Sequence, residues 1–153
     1  MLSIMAMKAL LQRVLSARVE IDGRAVGEIE NGLLVFLCVV KGDMDGDLEY
    51  IVKKVSKLRI FEDDNGKMNL SIMDIRGEVL VVSQFTLAAS TRKGSRPSFA
   101  AAEAPERARA LCDTFVTNLR QTGLSVKTGM FAESMAVSLT NDGPVTILID
   151  SRE

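Results

Sequence analysis

Between Lys8 and Val40 the apolar positions fall in short, largely β-branched stretches separated by turn residues: Ala9, Leu11 and Val14, then Val19 and Ile21, then Val26 and Ile29, and finally the unbroken run Leu33 to Val40. Asp22-Gly23 and Asn31-Gly32 mark the turns, so this part predicts a meander that ends in a well-buried strand. The period then changes. Leu48, Ile51, Val52, Val55 and Leu58 recur at helical spacing behind Asp43, the expected N-cap, and predict an amphipathic helix. Asp63-Asp64-Asn65-Gly66 is a turn signal, and Glu78 to Leu87 reads as a second buried strand. A loop of little periodicity, Thr91 to Phe99, leads to Pro105. That proline is the expected first residue of a second helix, with Ala108, Leu111, Cys112, Phe115 and Leu119 on one face and its stop at Gly123. Residues 124–127, 135–139 and 145–150 are strand-like, and Asn141-Asp142-Gly143-Pro144 reads as the turn joining the last two.

No internal repeat, low-complexity tract or linker interrupts this pattern, so one domain is expected over residues 7–153. Residues 1–6 are expected to be an N-terminal extension or an alternative start ahead of Met7. Two amphipathic helices cannot cover every face of seven or so strands. The expected fold class is therefore α+β, with a curled, partly barrel-like sheet that closes on itself or pairs with a second copy.

Composition narrows the chemistry. The chain has 153 residues, 47% apolar and 25% charged, with a formal net charge of −1 and no histidine. Ser-His-Asp and Cys-His nucleophile activation and His-ligated zinc all need imidazole, so they are excluded. Cys38 and Cys112 stand far apart, each inside an apolar pattern, and read as core thiols of a reduced protein rather than a metal knuckle or redox pair. The charge balance disfavours coating nucleic acid through bulk charge and leaves room for a local basic patch. The first residues lack the positive region of a signal peptide, and no stretch is apolar enough to span a bilayer, so a cytoplasmic location is expected.

Two segments carry the candidate chemistry. Ser83-Gln84-Phe85-Thr86-Leu87 closes an apolar run and sets hydrogen-bonding side chains around an aromatic ring; Asn141-Asp142-Gly143-Pro144-Val145-Thr146 places a Gly-Pro pair near the end of the chain. Taken singly, the first is a polar strand end and the second a common turn. They occur together with Leu11-Gln12-Arg13-Val14, Leu58-Arg59-Ile60-Phe61, Gly66-Lys67-Met68-Asn69 and Arg96-Pro97-Ser98-Phe99. In this order and spacing the set closely resembles the D-aminoacyl-tRNA deacylases over nearly the whole chain from Met7.

The resemblance implies a homodimeric esterase, without metal or other cofactor, that removes D-amino acids and glycine from the 3′-terminal adenosine of tRNA. It implies that Ser83, Gln84, Phe85 and Thr86 line the aminoacyl pocket of one subunit. Gly143 and Pro144, joined by a cis peptide, would enter that pocket from the other. Arg13 would hold the Gly-Pro turn, and Ala108 and Met135 would lie near the substrate. One departure is Phe131-Ala132-Glu133-Ser134-Met135, where Glu133 adds size and charge beside the implied pocket wall. The expected partners are aminoacyl-tRNA and a second copy of the chain; neither a membrane nor DNA is expected.

An aminoacyl ester is already activated, so positioning and a few donors to the developing oxyanion are sufficient help. The backbone N–H groups of Phe85 and Thr86 are the expected donors, and Gln84 the expected orienting side chain. Thr86 lacks any base to deprotonate it. The reading is therefore hydrolysis assisted by the 2′-hydroxyl of the terminal ribose. The Gly-Pro carbonyl oxygens would capture the substrate ammonium and leave no space for an L side chain. Lys67, Arg92, Lys93 and Arg96 are the expected tRNA phosphate contacts. Two rivals are a non-catalytic tRNA-binding module using the loop from Thr91 to Phe99, and a hydrolase of free D-amino-acid esters.

Overall fold

Asp22 and Gly23 both take positive φ, 50° and 78°, the backbone that a tight hairpin turn between right-twisted strands requires. In the computed structural model, which describes residues 6–153, this turn joins strand β1 (Lys8–Ile21) to β2 (Arg24–Ile29). The expected extension falls mostly on residues 1–5, outside the described residues, while Ala6 and Met7 are fully buried. β3 (Gly32–Cys38) does not continue a meander. It returns to β1, pairing Val14↔Gly32 through Lys8↔Cys38, while β2 pairs with the other half of β1, Ala17↔Ile29 through Ile21↔Arg24. With 14 residues, β1 is long enough to hold two partners end to end along one edge.

Beyond β3 come helix α1 (Asp45–Lys57), a small hairpin of β4 (Phe61–Glu62) and β5 (Met68–Leu70), and β6 (Glu78–Ser83), which lies parallel to β3. Helix α2 (Pro105–Gln121) then crosses to β7 (Ser125–Thr128), parallel to β6, and β8 (Ala136–Asp150) closes on the free edge of β1. The main sheet runs β2-β1-β3-β6-β7 with β8 on β1. It curls until β2 meets β7: a Cβ added at Gly27 would stand 2.7 Å from the carbonyl oxygen of Thr128. The α+β class, the two helices and the barrel-like curl thus match the expectation from sequence.

β3 explains the unbroken apolar run. Leu33, Val35 and Leu37 point into the layer beneath the helices, and Leu34 points to the opposite face with Val14, Val19, Leu80 and Val82, so both sides of the strand are dry. Leu48, Ile51, Val52 and Val55 of α1 and Leu111, Phe115, Val116 and Leu119 of α2 complete the helical layer. Each such side chain contributes about 1.5–3 kcal/mol by leaving water. Gly123, at φ 99°, ends α2 where the pattern placed it.

Asp43 is not the N-cap. Met44 takes that position, and Asp47 accepts its N–H at 2.9 Å. Asp43 is fully buried one residue earlier, accepting the N–H of Met7 at 3.0 Å and of Val40 at 2.8 Å, and so ties the start of the chain to the end of β3. Leu58 lies just beyond the helix as its C-cap residue.

Burial raises the Asp43 pKa, so this carboxylate favours folding more as pH falls through its folded value. The opposite holds for Asp63, lowered by the Lys67 N–H, and for Asp74, lowered by the Ser71 N–H. Their stabilisation is present above the unfolded carboxylate pKa near about 4 and is lost as pH falls through their lower folded values. With no histidine to titrate, and burial pushing both thiols up to about 11, the urea midpoint is expected to stay level from about pH 6 to 8 and to fall below about pH 4. A change of midpoint within the neutral range would contradict this.

Candidate active site

β3 and β6 end side by side, with Leu37 paired to Ser83, and the Gln84 N–H donates to the Leu37 carbonyl at 2.8 Å. Past Ser83 the neighbouring strand gives out, so the backbone must satisfy itself locally. It folds into one 3₁₀ turn, Phe85–Ala88, with the Leu87 N–H donating to Gln84 O at 3.2 Å and Ala89 N–H to Thr86 O at 3.1 Å. The Cys38 thiol supports the turn from below, its sulfur 3.7 Å from the Phe85 carbonyl oxygen. The second buried strand therefore stops at Ser83 rather than Leu87. Among the described residues the N–H groups of Phe85 and Thr86 meet no backbone acceptor.

Ser83, Gln84 and Phe85 form one side of a cleft of about 540 Å³. Pro105 and Ala108 from the first turn of α2, and Phe131, Ala132, Glu133, Ser134 and Met135 from the segment before β8, form other walls. The structure thus brings Ser83, Gln84, Phe85, Ala108 and Met135 together, and places Glu133 at the same wall. Gly129 makes room for this arrangement: a Cβ there would lie 2.6 Å from the Met135 sulfur. Thr86 sits at the exposed start of the turn, its hydroxyl accepting a hydrogen bond from Gln84 Nε2. The Phe85 and Phe99 rings meet edge to face, centroids 5.2 Å apart. Among the described residues no three His, Cys, Asp or Glu side chains are grouped as metal ligands would be, and no helix is long and apolar enough to cross a membrane.

The Gly-Pro pair lies elsewhere in the same chain. Instead of a turn between two strands, residues 136–150 form one strand along β1, and the pairing jumps from Gln12↔Thr146 to Val14↔Asn141. Arg13 alone therefore stands opposite Asp142–Val145, which bulge outward. The Gly143-Pro144 peptide is cis, Gly143 has φ 131°, and both residues are exposed.

Arg13 is only 4% exposed and holds the bulge from behind. Its Nε donates to the Asp142 carbonyl at 3.1 Å and its Nη1 to the Ile60 carbonyl at 2.7 Å, with the Asp142 carboxylate 3.3 Å from Nε. Asn141, to which the motif by itself assigns no role, clamps the other side. Its Oδ1 accepts the Val145 N–H at 2.8 Å, and its Nδ2 donates to Thr146 Oγ1 at 3.0 Å. Pro105, in the wall, and Phe99, against the Phe85 ring, are not marked as neighbours of the cleft by sequence, because proline and phenylalanine carry no pattern that separates a wall from a core.

Of the expected phosphate contacts, Lys67 is on the β4–β5 hairpin. Arg92, Lys93 and Arg96 are in an exposed loop closed by reciprocal 2.8 Å hydrogen bonds between Ser90 and Ser98. None of the four forms an ion pair among the described residues.

Residues 10–150 match the family model described as D-Tyr-tRNA(Tyr) deacylase. The chain is 57% identical over 146 residues to a D-aminoacyl-tRNA deacylase of Persephonella marina, covering 95% of this chain and 99% of that one. It is 54% identical over 147 residues to a D-aminoacyl-tRNA deacylase of Aquifex aeolicus, covering 96% and 99%. A solved structure titled c-Myc DNA Unwinding Element Binding Protein superposes with a TM-score of 0.88 at 40% identity, covering 93% of this chain and 97% of that one.

Proposed function

Because the chain belongs to the D-Tyr-tRNA(Tyr) deacylase family and is a hydrolase of the D-aminoacyl-tRNA ester bond, we propose that it selects chirality with a cleft from one subunit and the Gly143-Pro144 bulge of a second copy. The observation that carries this reading is the separation of the two motifs. The cleft holds Ser83, Gln84, Phe85, Ala108 and Met135, whereas Gly143 and Pro144 project, exposed, from an edge strand and are not among the residues lining it. A bulge braced from behind by a buried arginine and clamped by Asn141 is a rigid probe. The 15-residue β8 has β1 on one edge and no strand among the described residues on the other, and Leu148 is 53% exposed on it. Such an edge is a template for pairing with another chain, which supports a homodimer.

In the proposed reaction the aminoacyl ester enters the cleft with its carbonyl oxygen toward the free N–H groups of Phe85 and Thr86. Donors fixed in a turn need no reorganisation as negative charge develops on that oxygen. The partner's Gly-Pro carbonyl oxygens receive the substrate ammonium. The wall they form rejects an L side chain, while a D side chain points outward unread and glycine has nothing to reject. The Thr86 hydroxyl already accepts from Gln84, and among the described residues no base is hydrogen-bonded to it. The 2′-hydroxyl of the terminal ribose assists attack by water, and the protein supplies geometry. The lining of the cleft suits a small ester in a cytoplasmic chain that meets tRNA through Lys67, Arg92, Lys93 and Arg96.

The test is hydrolysis of matched D- and L-tyrosyl-tRNA and glycyl-tRNA with chelator present. The expected result is release of D-tyrosine and glycine with L-tyrosine spared, and with Thr86→Ala keeping measurable activity. Equal release of D and L would overturn the chiral filter. Complete loss in a folded, tRNA-binding Thr86→Ala would restore threonine as the nucleophile.

A further inference from the structure

Away from the cleft, the last turns of α1 and the residue beyond its cap carry Lys53, Lys54, Lys57 and Arg59, all exposed. With Tyr50 and Leu58 they line a shallow depression of about 470 Å³ that has no acidic side chain in its wall. Lys54 Nζ lies 5.5 Å from the centroid of the Tyr50 ring. None of the four cations forms an ion pair among the described residues; Arg59 Nη1 reaches only Asn69 Oδ1, at 3.4 Å.

Lys53 and Lys57 are four residues apart and Lys54 and Lys57 three, spacings at which like charges repel across a helix surface. The helix dipole offsets part of this for Lys54 and Lys57 in the last turn. It does not account for a concave arrangement of four, in a chain whose net charge is −1. A ligand with spaced negative charges would relieve the repulsion, and a phosphodiester backbone has that spacing.

The patch is tied to the Gly-Pro bulge. Arg59 immediately precedes Ile60, whose carbonyl accepts Arg13 Nη1 at 2.7 Å, and the same guanidinium holds the Asp142 carbonyl at 3.1 Å. Resting on the reading that the bulge of one subunit enters the cleft of the other, Arg59, one residue from the carbonyl that braces the bulge, would bring the edge of the α1 patch toward the partner's cleft. We propose that Lys53, Lys54, Lys57 and Arg59 bind the acceptor-stem phosphates of the tRNA whose 3′ end occupies the other subunit. Each tRNA would then be gripped by both protomers. The 3′ end would be read by a cleft, and the duplex behind it by charge alone and without regard to sequence.

The test is a K53Q/K54Q/K57Q/R59Q variant of the full chain, compared with wild type in two assays. Binding of uncharged tRNA is measured against salt concentration, and hydrolysis is measured on D-tyrosyl-tRNA and on D-tyrosyl-adenosine, which has no duplex. Each lost phosphate contact removes about one unit from the salt slope. The expected result is a slope flatter by about three to four, KM for D-tyrosyl-tRNA raised on the order of tenfold, and unchanged hydrolysis of D-tyrosyl-adenosine. An unchanged salt slope overturns the proposal. So does an equal loss on both substrates, which would mean the substitutions act through the fold or the cleft. If wild type hydrolyses neither substrate, the catalytic reading fails while the salt slope still decides the patch. A loop variant, R92Q/K93Q/R96Q, that alone accounts for the whole slope would also overturn it.

Discussion

Replacing Gly143 by alanine is expected to cut kcat/KM for D-tyrosyl-tRNA by about 10²-fold or more, the usual consequence of displacing a positioning group by about an ångström. The reason is local and severe. Gly143 holds φ 131°, a conformation that L side chains rarely adopt, and a Cβ there would lie 2.8 Å from Val145 Cγ2 and 3.0 Å from Arg13 Nη2. Neither neighbour has much freedom to yield. Val145 is buried and its N–H is held by Asn141, while Arg13 is 4% exposed and fixed on two carbonyl oxygens. The bulge itself must therefore move. The fold should survive, because the distortion is confined to an exposed bulge on an edge strand.

The measurement is deacylation of D- and L-tyrosyl-tRNA by the variant, with circular dichroism and the urea midpoint as controls. Loss of D hydrolysis, or new hydrolysis of L, would agree with the proposed filter. Wild-type rates and wild-type discrimination in a folded variant would show that the Gly-Pro bulge does not meet the substrate.

Gly32→Ala is expected to cause the largest loss of stability of any glycine-to-alanine change in the chain, about 4 kcal/mol or more. Gly32 is the first residue of β3 and sits between two strands, paired to Val14 of β1 on one side and to Glu78 of β6 on the other. An added Cβ would be driven into the Glu78 carbonyl oxygen, with the carbonyl carbon at 2.8 Å and the amide nitrogen at 2.9 Å. These are backbone atoms in the middle of the sheet, so no side chain can rotate away. A domain of this kind has only about 5–15 kcal/mol in reserve. The variant should therefore unfold at much lower urea or fail to accumulate as soluble protein.

Gly46→Ala supplies the contrast. A Cβ at Gly46, in the first turn of α1, meets nothing within 4 Å, and alanine there should be neutral or stabilising by about 0.5 kcal/mol. Equal midpoints for Gly32→Ala and wild type would refute the packing argument.

These two glycines also show how far the sequence could be read. Asn31-Gly32 looked like a turn, and the chain does bend there. What makes Gly32 indispensable is the carbonyl of Glu78, forty-six residues away in number and adjacent only once β6 lies along β3. The same limit applies to Asp43, whose place before a helical pattern matched an N-cap. Its actual partners are Met7 and Val40, and a carboxylate drawn into the core to receive two N–H groups leaves no trace in periodicity.

By itself the sequence determined the class of fold, because the change from alternating and continuous apolar runs to 3.6-residue spacing is imposed by which faces must leave water. It also determined the helix that opens at Pro105 and stops at Gly123, and the family, through two short motifs in order. Chain order alone could not decide that β3 returns to β1 instead of to β2, since that choice depends on the length of β1. Nor could it decide that the Gly-Pro segment is a bulge within a continuous strand, because the pairing of eleven residues of β8 with β1, on both sides of the segment, overrides a turn propensity of four. Tertiary structure alone gathered Ser83, Gln84, Phe85, Ala108 and Met135 into one cleft and set Gly143 and Pro144 outside it on a braced edge. Local propensity fixes what each segment tends to form. The separation of cleft and bulge follows from long-range pairing, which is decided only when the six strands of the main sheet compete for the same edges.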